Sequence, residues 1–135
     1  MELRDKKSLA YSVTSILSEG LDPGFFAVYI GTDPSKISEA IDGIKAELKK
    51  ITMELVTPQE MTRTQNYLVG TYELSLQKRG GLSQILAFNE LYGLGLEEIK
   101  EYPEKILKVR REDILRVAKH YMNLDAYVIS VVEPA

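Results

Sequence analysis

The sequence contains no cysteine, no tryptophan and a single histidine, His120. Without cysteine there is no disulfide, no thiolate nucleophile and no thiolate metal ligand. One histidine cannot build the three- or four-ligand set that zinc requires, and the helical signature of two histidines at i and i+4 beside a glutamate has no counterpart here. No stretch approaches the ~20 apolar residues of a membrane span. The charged start Met1-Glu2-Leu3-Arg4-Asp5-Lys6-Lys7 leads into no apolar run of the signal-peptide kind. An excess of basic charge is also lacking. Net charge is -3, and the clusters at Arg4-Lys6-Lys7, Lys78-Arg79 and Lys108-Arg110-Arg111 are interrupted or flanked by acidic and apolar residues. They read as solvated helix ends, not as a nucleic-acid footprint. The expectation is a soluble protein whose compartment, cytoplasmic or periplasmic, stays open, since a cysteine-free chain works in either.

What is present is a globular composition, 44% hydrophobic and 27% charged over 135 residues. That length predicts a single domain, able to bury roughly two-thirds of its unfolded surface without staples. Residues 9–18 alternate Leu9, Tyr11, Val13, Ser15 and Leu17 with Ala10, Ser12, Thr14, Ile16 and Ser18, and this period of two predicts a strand. The turn cluster Glu19-Gly20-Leu21-Asp22-Pro23-Gly24 separates it from residues 25–32, a nearly continuous apolar run expected to be a strand buried on both faces.

Helix signals follow. Asp33 and Pro34 form a cap and first position, ahead of Ile37, Ala40, Ile41, Ile44, Leu48 and Ile51 at helical spacing. Thr57, Pro58 and Glu60 form a capping box that opens a helix expected to run to about Lys78, with Met61, Leu68 and Tyr72 inside. Gly80-Gly81 is expected to break it. A third helix is expected over 82–92, with Ile85, Leu86 and either Phe88 or Asn89 inward, then a turn at Gly93-Leu94-Gly95. Short helices are expected over 96–102 and 103–108, then a last one over 112–122 with Ile114, Leu115, Val117, Ala118 and Tyr121 as its apolar set. Asn123-Leu124-Asp125 turns the chain into an expected third strand over 126–132. The predicted class is α+β: an antiparallel sheet (9–18, 25–32, 126–132) covered by four to five helices, in the order β-β-α-α-α-α-β.

Little in this pattern carries chemistry. His120 lies near a helix C-terminus, where the dipole favours a surface or capping cation. Gly80-Gly81 and Gly93-Leu94-Gly95 do not follow a strand and open a phosphate-binding helix. Glu97-Glu98, Glu101 with Glu104, and Glu112-Asp113 are expected on solvated helix faces, whereas acid–base carboxylates must converge and be desolvated. The residues alone give a binding or structural domain with no catalytic residue.

The segment Leu3-Arg4-Asp5-Lys6-Lys7-Ser8-Leu9-Ala10-Tyr11-Ser12-Val13 resembles L-R-E-K-x-G-L-A-Y-x-V of the insulinase/pitrilysin family of zinc peptidases, to which the mitochondrial processing peptidases belong. Gly24-Phe25-Phe26 through Gly31-Thr32-Asp33-Pro34 is similar to that family's second strand and following helix start. Thr57-Pro58-Gln59-Glu60-Met61 resembles its T-x-E-E-L helix opening, and Leu91-Tyr92-Gly93-Leu94-Gly95 the turn after its third helix. Val109-Arg110-Arg111-Glu112-Asp113-Ile114 through Tyr121 resembles its closing V-T-x-E-D-V…K-Y-L helix. The likeness covers nearly the whole chain, in order. Ser8 stands where the family usually has glycine, and Arg110 where a capping threonine is common, which predicts a weaker start for the last helix.

The resemblance implies a division of labour. Such peptidases pair two homologous domains around a chamber. One carries the inverted motif H-x-x-E-H with its zinc; the other lacks metal and contributes substrate contacts through an Arg and a Tyr seven residues apart. Arg4 and Tyr11 have that separation in the matching segment. The implied reading is the C-terminal portion of a metal-free, substrate-binding domain, inactive alone. Its implied partners are a zinc-bearing catalytic domain, in the same or another chain, and a peptide substrate. Two alternatives stay open for the residues: Arg4 as a helix-end cation and Tyr11 as half-buried core. One stays open for the parent, a structural scaffold subunit from a non-catalytic homologue. The start of the chain inside the motif region further implies that earlier strands of the domain are missing, which leads to an expectation of self-association through the open sheet.

Overall fold

In the computed structural model, which describes residues 11–18 and 24–132, the alternating segment forms strand β1 (Ser12–Ser18) and the apolar run forms strand β2 (Phe25–Gly31). They pair antiparallel, with Ser12 opposite Gly31 and Ser18 opposite Phe25. Side chains alternate along a strand, so Val13, Ser15 and Leu17 share a face with Phe26, Val28 and Ile30. Residues 9 and 10 of the expected first strand lie outside the described residues. The second strand departs from expectation: Phe25, Phe26 and Tyr29 are exposed, not enclosed on both faces. An apolar run reports a tendency to be covered, and a two-stranded pair supplies too little neighbouring structure to cover it.

The described chain falls into two compact units, one ending at Met53 and resuming at Ala118, the other running from Glu54 to Val117. In the first, the Asp33 carboxylate accepts from the Ser35 N–H at 2.9 Å and from its hydroxyl at 2.5 Å. This cap opens a short 3₁₀ turn, Pro34–Lys36, that leads into α1 (Ile37–Met53). Ala40 is buried on α1, and Ile37, Ile41, Ile44, Leu48 and Ile51 are partly buried along the predicted stripe.

The expected third strand is not seen among the described residues, where residues 126–132 join no ladder. Periodicity selects a strand's face, but the strand itself exists only through a partner's hydrogen bonds. Tyr127 is fixed to α1, with Lys45 Nζ 4.9 Å from its ring centre. The Tyr127 hydroxyl, bonded to the ammonium, holds the Lys45 pKa above its ordinary value.

In the second unit the capping box forms as read. Thr57 Oγ1 accepts from the Glu60 N–H at 3.2 Å, and the Glu60 carboxylate accepts from the Thr57 N–H at 2.9 Å, opening α2 (Pro58–Leu76). Met61 is buried, but Leu68, expected inside, is exposed; Gln65, Val69 and Tyr72 turn inward instead. The contacts of Gln65 and Tyr72 lie on and just beyond α4 (Glu98–Lys108). Gln65 Nε2 donates to the carbonyls of Ile106 at 3.0 Å, Leu107 at 3.2 Å and Val109 at 3.2 Å, capping α4's C-terminal end. Two turns along, the Tyr72 hydroxyl donates to the Ile99 carbonyl at 3.4 Å, and its ring stacks on Tyr102 at 4.2 Å.

Three further boundaries differ from expectation. The chain breaks at Gln77 and Lys78, not at the glycine pair, and α3 (Arg79–Leu91) begins with Gly80-Gly81 in its first turn. A Cβ at Gly81 would lie 2.2 Å from the Ser75 carbonyl oxygen, so this glycine lets α3 start against the end of α2. Asn89, not Phe88, is the buried residue of α3. The two short helices predicted on either side of Pro103 are one helix, α4. The turn before it is as read: Gly93 and Gly95 have φ of 69° and 75°, the left-handed region that favours glycine. In α5 (Arg111–Tyr121) the missing threonine cap is offset by Asp113, whose carboxylate accepts from the Arg110 N–H at 3.0 Å. Ile114, Leu115 and Ala118 turn inward, whereas Val117 and Tyr121 are exposed.

Candidate functional site

Arg4 lies outside the described residues, so the candidate site is followed from Tyr11. Its N–H donates to the Gly31 carbonyl at 2.8 Å, extending the β1–β2 hydrogen bonding by one residue. The backbone is thereby tied to the hairpin, and the side chain is 79% exposed. Alternation places its phenol on the face of Val13, Val28 and Ile30, each partly buried. On the opposite face a Cβ at Gly31 would meet the Ser12 hydroxyl at 3.1 Å and the Tyr29 hydroxyl at 3.7 Å, so both hydroxyls lie close over that glycine. One residue beyond Thr32, the Ser35 hydroxyl and then its backbone N–H hold the Asp33 carboxyl below its ordinary range. The end of the hairpin thus offers a phenol donor on a fixed backbone, with no base placed to activate it as a nucleophile among these neighbours.

The other titratable groups have structural partners. His120 is exposed and sits edge-on to Tyr121 at 4.6 Å. The acidic pairs on α4 meet lysines: Glu97 with Lys100 at 3.1 Å, Glu101 with Lys105 at 2.9 Å and Glu104 with Lys108 at 3.4 Å. Glu98 differs from its expected solvated state. Its side chain is only 13% exposed and is paired with Lys105, whose pKa is raised chiefly by that hydrogen bond and then by Glu101. Burial, then the nearby Glu98 and Tyr102, pushes the Tyr72 phenol up. Neither the Lys45–Tyr127 contact nor the inward Glu98 has a sequence signal, since both depend on contacts distant in the chain.

Among the described residues no group of three or more His, Asp or Glu side chains could hold a metal ion, so these residues do not fit zinc. No described helix is long and apolar enough to cross a membrane.

Comparison with known proteins places this geometry. The family model for the Peptidase M16 inactive domain matches residues 1–68, a span containing Arg4, Tyr11, the hairpin and the α2 capping box. The chain is 30% identical over 118 residues to an uncharacterised zinc protease of Streptomyces coelicolor, covering 87% of this chain and 26% of that protein. It is 24% identical over 134 residues to an uncharacterised zinc protease of Bacillus subtilis, covering 99% of this chain and 32% of that protein. It therefore spans about a quarter to a third of the length of these curated relatives. Among solved structures, a protease from Helicobacter pylori matches with TM-score 0.77 and 26% identity over 89% of this chain and 29% of that one. The inactive peptidase domain of a candidate zinc protease from Bordetella parapertussis matches with TM-score 0.72 over 96% of this chain and 71% of that one; at 15% identity this likeness concerns the fold alone. The family model covers half of the sequence and the α+β order agrees with it: the chain belongs to the Peptidase M16 inactive-domain family.

Proposed function

We propose that this chain is part of the metal-free, substrate-contacting domain of a zinc-dependent endopeptidase, inert alone and completed by a zinc-bearing catalytic domain in the same or a partner chain. The observation that carries the reading is Tyr11: its backbone is fixed by Gly31 and its phenol stands in solvent within the family-matched span. Arg4 precedes it by seven residues in the same span. A guanidinium is always charged and offers forked donors, and the phenol adds another. Together they would orient a peptide carbonyl and stabilise negative charge developing near it. Zinc, held on the catalytic domain, would supply carbonyl polarisation and an activated water.

The test uses the parent protein with its catalytic domain. Arg4→Ala and Tyr11→Phe should each lower kcat/KM for peptide cleavage by about tenfold to a hundredfold, within the range for losing a preorganised donor. Full activity in both variants would remove the substrate role of Arg4 and Tyr11, whereas a parent protein without peptidase activity would favour the scaffold reading. The purified chain should hold no stoichiometric zinc and cleave no peptide; zinc-dependent cleavage by the chain alone would overturn the assignment.

A further inference from the structure

We draw no further inference here: the strongest candidate, the N-terminus of α3 where exposed Lys78 and Arg79 precede Gly80-Gly81 with no side-chain cap, is a helix end with no second observation to say what would bind there.

Discussion

The Tyr72 hydroxyl on α2 donates to the Ile99 carbonyl on α4, an acceptor that Pro103 leaves without its usual helical partner. Residue 103 would ordinarily donate its N–H to the carbonyl four positions earlier, and proline has none. The phenol stands in for that missing donor, and the Tyr72–Tyr102 stack at 4.2 Å holds it there. Tyr72→Phe keeps the ring and removes the donor. It should cost about 0.5–1 kcal/mol in urea unfolding, the low side for a hydrogen bond because the distance is long. Pro103→Ala supplies a backbone donor, so the cost of Tyr72→Phe should shrink in that background. Equal costs in both backgrounds, read from a double-mutant cycle, would show that phenol and proline are not coupled.

Gln65 is expected to matter more. Its amide reaches three carbonyls at the end of α4. Gln65→Ala should cost about 1–2 kcal/mol by the same unfolding measurement. Gln65→Lys, whose ammonium carries three donors, should recover part of that loss.

The adjacent glycines of α3 should respond oppositely to alanine. At Gly80 a Cβ meets nothing within 4 Å, and at Gly81 it would lie 2.2 Å from the Ser75 carbonyl oxygen. Gly80→Ala should be neutral or stabilising by up to about 1 kcal/mol through helix propensity. Gly81→Ala should destabilise by about 1–3 kcal/mol, since backbone must shift to relieve the clash. Matching changes in melting temperature for the two would contradict this packing.

Asp113 should make the start of α5 sensitive to acid. The Arg110 N–H, and then the Arg110 and Arg116 charges, hold its carboxyl below the ordinary value of 3.8. A depressed folded-state pKa gives stabilisation that is fully present above 3.8 and lost as pH falls through the lower, folded value. Unfolding monitored by circular dichroism should show Asp113→Asn and the unmodified chain converging at low pH and separating above about pH 5. A constant difference across that range would remove the capping role.

Much of the fold is written locally. Thr57, Pro58 and Glu60 form their capping box, Asp33 caps its turn, and Gly93 and Gly95 take the left-handed conformations their positions suggested. The misreadings share a cause, dependence on distant residues. Gly81 lies in the first turn of α3 where its missing Cβ leaves room for Ser75, α4 continues through Pro103, where Tyr72 serves the freed carbonyl, and Leu68 yields the inner face to Gln65. Residues 126–132 have a strand's composition without a strand's partner among the described residues. At the candidate site, the motif singled out Tyr11, which lies one residue before β1 with an exposed side chain that no sequence pattern specifies.

The two anchors between α2 and α4 have a consequence for how this chain can vary. Gln65 and Tyr72 are seven residues apart, as are their acceptors Ile99 and Ile106, so the two helices are gauged against each other like opposed scales. Both bonds can form only while the two intervals stay equal. Insertion or deletion of a single residue between 65 and 72 turns one anchor about 100° out of line, and compensation on α4 would need a matching change between 99 and 106. Length variation among close relatives should therefore be suppressed inside these two spans and permitted beyond them, as around the break at Gln77 and Lys78.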